Sequence, residues 1–278
     1  MKKTIVIYSN CQGQAISELL KKLDNEFTNE YDVDNIDYIS NYQNIVDNTP
    51  LDYDKLSNCD LFIYQPISSK HGIFATDKVK TVLKESCIQI SFPYIYNYAF
   101  WEILVFRRGD HNLSSINSEY IVINHEPIIN LKNQGVSLDD IKMQIISGNF
   151  DFKFKERYEK TLSILREHEK DCTIKVADFI DKNHKDIHLF YTQNHITAPF
   201  VKYMVNKILD HLGYSSELLD VISYRPFYAD YYIDCPIGKY AYAYYKFKFM
   251  NEPEDNTIYP LLNEVSNIYN NIYIINNI

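Results

Sequence analysis

Apolar positions along this chain switch repeatedly between strand-like runs and helical spacing, and the alternation predicts an α/β fold. Thr4–Tyr8 is apolar on both faces, as a central parallel strand is. From Gly13 to Leu23 the residues Ile16, Leu19, Leu20 and Leu23 recur at helical spacing. Strand, tight turn and helix make the first half of a βαβ unit. An acidic, Asn-rich stretch follows, with a second strand predicted near Tyr38-Ile39. Cys59–Tyr64 reads as a third, buried strand ending at Gln65-Pro66, where proline stops the ladder. Thr76–Lys84 reads as helix, and Cys87–Phe92 as a fourth strand running into Pro93. Ser137 is an N-cap candidate, and a longer helix covers 152–170, with Tyr158, Leu162 and Leu165 on one face. Ile187–Tyr191 is predicted to be a short strand. The clearest helix follows it, a stripe of Phe200, Val201, Met204, Val205, Ile208, Leu209 and Leu212 closed by Gly213.

Strands alternating with helices imply a three-layer sandwich around a mostly parallel sheet. The alternation stops beyond about residue 220, where the sequence turns Tyr-rich and strand-like. The expected organisation is an α/β domain over 1–215 with a Tyr-rich extension or lid over 216–278.

Composition narrows the function. Hydrophobic residues make up 46% of 278, enough for a large core. The net charge of −9 argues against nucleic acid as a partner, because phosphate binding needs a basic surface. The amino-terminal apolar run is too short for a signal h-region, and no stretch approaches the roughly 20 residues of a membrane span. The expected location is the cytoplasm. Five scattered cysteines (Cys11, Cys59, Cys87, Cys172, Cys235), with no CxxC or Cys/His spacing, suit free thiols and give no zinc signature. The 25 tyrosines suit stacking on sugars or nucleotides, although a biased base composition would enrich them too.

In an open parallel sheet, ligands sit beyond the carboxyl ends of the strands. Three predicted strand ends carry polar groups: Asn10-Cys11-Gln12, Gln65, and Gln193-Asn194-His195. If they share one edge, they form a site. Cys11 stands at a helix N-terminus, where the dipole favours a thiolate. His195 could take the thiol proton or activate an incoming hydroxyl. The backbone N–H groups of Cys11 and Gln12, with the carboxamide of Gln65 or Asn10, could hold an oxyanion. The structural alternative is a small buried cysteine, a capping histidine and a strand-ending glutamine.

These segments resemble two nested groups. A nucleophile after the first strand, an amide residue after a middle strand and a late histidine before the last helix are similar to the SGNH (GDSL-type) hydrolase and acyltransferase layout. More narrowly, "SNCQGQ" (9–14), "DLFIYQPI" (60–67), "SFPYIY" (91–96), "NQGVSLDDI" (133–141), "SILREHEKDCTIKVADFI" (163–180) and "LFYTQNHITAPFVKYMVNKILDHLGY" (189–214) resemble the WcbI-type acetyltransferases of polysaccharide biosynthesis. The resemblance covers about residues 1–215. It implies coenzyme A as ligand, acetyl-CoA as acyl donor without a metal, and transfer to a hydroxyl of a sugar or glycan precursor. Cys11 and His195 would be catalytic, with Asn10, Gln12, Gln65 and Asn194 supporting them. The phosphates of coenzyme A would call for basic residues at the mouth, with Lys70, His71, Arg107 and Arg108 as candidates. Two positions depart from the pattern. Thr192 stands where SGNH enzymes carry an aspartate three residues before the histidine, and Ile196 stands where proline usually follows it. Cys11 and His195 would therefore work as a dyad. Cys11 could carry the acyl group, or line the oxyanion site of a direct transfer. A thiol esterase or deacetylase on the same scaffold, or a non-catalytic glycan- or nucleotide-binding protein, are the competing classes.

Overall fold

A computed structural model describes residues 1–107, 120–230, 236–254, 256 and 258–271. They fall into two compact units, residues 1–96 with 162–233, and residues 97–161 with 234–278.

The first unit holds a four-stranded, wholly parallel sheet of β1 (Ile5–Ser9), β2 (Asp37–Ser40), β3 (Leu61–Tyr64) and β4 (Ile88–Ser91), in the order β2-β1-β3-β4. β1 and β3 are buried along their whole length, which is why they read as unbroken apolar runs. In register, Ser9 lies beside Ser40 and Tyr8 beside Tyr64, so the strands end together. One face of the sheet, through Val6, Tyr8, Phe62 and Tyr64, packs on Leu56, Phe74 and Val79. Those residues come from α4 (Tyr53–Ser57), a 3-10 turn at Ser69–Phe74, and α5 (Thr76–Lys80). On the opposite face α1 (Cys11–Leu20) lies on β1 and in turn packs on α10 (Ala198–Leu212). The result is three layers.

Gly13 makes the close approach of α1 to β1 possible. A Cβ there would stand 1.7 Å from Ser9 Oγ and 2.8 Å from Ile7 Cγ2. At the far end of α10, Gly213 takes the left-handed conformation expected of a helix stop, with φ 81°.

Several sequence expectations change. Ile187–Tyr191 is not a sheet strand; only an isolated antiparallel bridge, Phe190 to Ile196, forms there. Helix α5 stops at Lys80, short of Lys84. The Tyr-rich segment is helical rather than strand-like where it is described: a 3-10 turn at Phe227–Asp230, α11 (Lys239–Tyr245) and α12 (Ile258–Tyr269). Residues 216–230 belong to the first unit, and the described residues from 236 onward to the second.

The second unit contains an antiparallel pair, β5 (Leu104–Arg107) with β6 (Tyr120–Ile123), and helices α6 (Glu126–Asn133) and α7 (Leu138–Ile146). Ser137 caps α7 as expected, accepting from the Asp140 N–H. α8 (Phe154–His168) begins in this unit and ends in the first, and α9 (Ala177–Asn183) lies in the first. Buried Glu102 accepts from the Tyr240 and Ala241 N–H groups at 2.8 and 2.9 Å, so its carboxyl group closes the first turn of α11. Among the described residues no helix is long and apolar enough to cross a membrane, and no group of three His, Cys, Asp or Glu could hold a metal ion.

Candidate active site

The β1–α1 turn is built by its own polar residues. Asn10 N-caps α1, its Oδ1 accepting from the Gln12 N–H at 2.9 Å. The Gly13 N–H reaches the Asn10 carbonyl at 3.0 Å. Cys11 is the first helical residue and remains partly exposed.

Two buried glutamines hold this turn to the rest of the unit. Gln12 Nε2 donates to the carbonyls of Ile95 at 2.6 Å and Asn194 at 2.8 Å. Its Oε1 accepts from Gln65 Nε2 at 2.8 Å and from the Ile95 N–H at 3.2 Å. Gln65 donates its other amide hydrogen to the Pro93 carbonyl, and its Oε1 accepts from the Asn10 N–H at 3.0 Å. The ends of β1 and β3, the segment after β4 and the His195 loop are thereby tied into one network. Both amide hydrogens of Gln12 and of Gln65 are engaged in it. The sequence offered the Gln12 N–H and the Gln65 carboxamide as oxyanion donors; the side-chain bonds of both residues frame the turn. The Gln12 N–H is likewise capped by Asn10. Cys11's own N–H bears on its thiol, and Asn10 Nδ2 makes no hydrogen bond among the described residues.

The third polar segment reaches the site without being a strand end. His195 Nδ1 lies 2.6 Å from Thr192 Oγ1, and the Thr192 hydroxyl points also toward Asn194 Oδ1 at 3.4 Å. The Asn194 side chain lies close enough to Tyr94 to offset part of the rise that burial gives its phenol. Against the other side of His195 stands Tyr228, with ring centroids 4.8 Å apart; its hydroxyl donates to the Ile196 carbonyl at 2.8 Å. Tyr224 on the same segment donates to the Ala15 carbonyl of α1 at 2.8 Å. Tyr38, Tyr94 and Tyr228 all lie within electrostatic reach of Cys11. Burial raises Tyr38 and Tyr94 to about 12 and Tyr228 higher still, so all three are neutral phenols at pH 7. Among 25 tyrosines nothing in the sequence singles these out. Thr192 had a signal, its spacing of three before His195.

The electrostatics correct one expectation. Burial pushes the Cys11 thiol up to about 12 and outweighs the backbone N–H groups of Cys11 and Gln12, which pull it down. Cys11 is a protonated thiol at neutral pH. Burial also lowers His195 to about 4. Both groups are therefore neutral, a thiol and an imidazole, and a base must take the proton as the sulfur reacts.

The shift in His195 has a consequence for stability. Between pH 6.5, its ordinary value, and about 4 the unfolded chain binds more protons than the folded one. Stability is full above pH 6.5 and is lost as pH falls toward 4. From His195 alone the loss between pH 7.5 and pH 5 is about 2 kcal/mol. His184 and His188, also lowered by burial, act in the same direction. Unfolding free energies from urea titrations at the two pH values should fall less for His195→Asn than for the wild type, by about that amount.

Lys70 and His71 sit exposed in the 3-10 turn after β3. Arg107 closes β5 in the second unit. Arg108 and Cys235 lie outside the described residues.

No curated protein sequence matches the chain. A solved structure of WcbI, described as a novel polysaccharide biosynthesis enzyme and as the native protein without a disulfide bond between coenzyme A and one of its cysteines, superposes with a TM-score of 0.56. The two are 17% identical, and the match covers 98% of each chain. The family model for the polysaccharide biosynthesis enzyme WcbI matches residues 4–217, from the first strand through the His195 loop and α10. The chain belongs to the WcbI family of polysaccharide biosynthesis enzymes.

Proposed function

We propose that the protein is a coenzyme A-dependent O-acyltransferase of the SGNH-like type. It moves an acetyl group from acetyl-CoA to a hydroxyl of a sugar in a capsular or cell-surface polysaccharide precursor, in the cytoplasm. The observation that carries this reading is the bond from Gln12 to the Asn194 carbonyl at 2.8 Å, which fastens the cysteine turn to the histidine loop. Membership of a family of polysaccharide biosynthesis enzymes supports the sugar as acceptor.

Acetyl-CoA is a substrate here, and the thioester it brings is a good acyl donor to another thiol. His195 Nε2 takes the Cys11 proton as the sulfur forms a bond to the acyl carbon, and the imidazolium returns that proton to the departing thiolate. The sugar hydroxyl then attacks the acyl-Cys11 carbonyl while His195 accepts its proton, and the cleaved thiolate of Cys11 takes that proton back. Exchange of one thioester for another is nearly isoenergetic, and formation of the oxygen ester is downhill. With Gln12 and Gln65 engaged in the frame, the Cys11 N–H and Asn10 Nδ2 are the donors left to stabilise the oxyanion. Gln193 Oε1 is buried without a hydrogen-bond partner among the described residues, and an amide N–H of the pantetheine arm would satisfy it. Lys70 and His71 would meet the phosphates.

Release of the coenzyme A thiol from acetyl-CoA, followed with and without a pool of nucleotide-activated sugars, tests this reading. Release that requires the sugar pool is the expected result. Equal release in buffer alone would make the protein a hydrolase. Absence of any binding of coenzyme A by calorimetry would remove the reading.

A further inference from the structure

Thr192 stands three residues before His195 and meets its imidazole with a hydroxyl. It is 1% exposed, and its Oγ1 lies 2.6 Å from His195 Nδ1. A hydroxyl has one hydrogen to give. Here that hydrogen is directed at Asn194 Oδ1, an atom that can only accept. The Asn194 amide lies near Tyr94 and lowers the pKa of its phenol, as a donor would. Thr192 Oγ1 is then an acceptor toward the imidazole. The hydrogen bonds run in one direction, from His195 Nδ1–H to Thr192 and from Thr192 to Asn194.

We infer that Thr192 is a positioning residue that fixes His195 as the Nδ1–H tautomer, making Nε2 the nitrogen that accepts the proton in acyl transfer. The role assigned to Nε2 rests on the proposed function; the tautomer does not. A neutral hydroxyl differs from a carboxylate in one further respect. It orients the ring without stabilising an imidazolium, so the base remains weak and is not trapped in its protonated form at neutral pH. Three titratable groups near the ring leave this undisturbed. Tyr228 packs on it, Tyr191 lies 6.4 Å from Tyr228, and Cys11 reaches Tyr228 electrostatically. Burial raises all three, and none carries a charge at pH 7.

The test reads the imidazole nitrogens of the full chain directly, by two-dimensional nitrogen–proton NMR, in wild type, Thr192→Val, Thr192→Ser and Thr192→Asp. Wild type and Thr192→Ser should show His195 protonated at Nδ1. Thr192→Val, equal in shape and folded by circular dichroism, should show the Nε2–H form or a mixture. Its kcat for acetyl transfer should fall about 100-fold with little change in the KM for acetyl-CoA, and serine should restore most of the rate. Thr192→Asp should raise the titration midpoint of His195 by about 1 unit or more. A folded valine variant that keeps the wild-type tautomer would overturn the inference. So would a wild type found in the Nε2–H form. The spectra need no acetyl-CoA, so they decide the role of Thr192 even if the protein transfers no acetyl group.

Discussion

Replacing Gln12 by leucine is expected to remove about 4 kcal/mol of folding stability. Leucine fills similar space, yet it strands the Ile95 and Asn194 carbonyls, the Ile95 N–H and one Gln65 amide hydrogen. Each buried group left without a partner costs about 1–3 kcal/mol, and partial relaxation keeps the total below the sum. Urea denaturation should show a lower midpoint at an unchanged slope. Gln65→Leu should cost less, because fewer bonds are lost. The double variant should cost less than the two singles together, since the Gln12–Gln65 bond at 2.8 Å is then removed from both sides. Strict additivity would mean that the two glutamines do not act as one frame.

His195→Ala should lower kcat/KM for acetyl transfer about 1,000-fold, within the range that a positioned base contributes. Alanine cannot take the proton from a thiol held near 12. Stopped-flow release of the coenzyme A thiol measures this, and added imidazole should restore part of the rate. With His195 near 4, the wild-type acid limb should lie well below pH 6, so the rate stays flat from about pH 8 to 5.5. An acid limb near the ordinary histidine value would mean that His195 is more solvated in the working enzyme than its burial implies.

How much of this was legible in the chain depends on the range of the interaction responsible. β1 and β3 read correctly because strands buried on both faces are apolar throughout. α10 read correctly because one stripe of it meets α1. Gly213 and Ser137 are local signals, and both hold. The failures are long-range. Ile187–Tyr191 has strand-like residues, yet Leu189 and Tyr191 bond only the returning turn, at Thr197 and His195, and the one bridge is Phe190 to Ile196. The Tyr-rich end has strong β propensity. Where α11 forms, its first turn is held by Glu102, which lies 138 residues earlier in the chain than Tyr240. Cys11 shows the same contrast in its chemistry. A helix N-terminus predicts an acidic thiol, and burial reverses the prediction. Gln12 and Gln65 were visible as polar strand ends, but their bonding to each other spans 53 positions, and no local pattern encodes it.

Cys11 is proposed to carry the acyl group and His195 to move the proton. Intact-mass spectrometry after incubation with acetyl-CoA, in the absence of sugar, tests it most directly. The wild type should gain one acetyl group, Cys11→Ala none, and His195→Ala the same adduct much more slowly. An acetyl adduct that persists in Cys11→Ala, or sugar acetylation by Cys11→Ala at the wild-type rate, would contradict it.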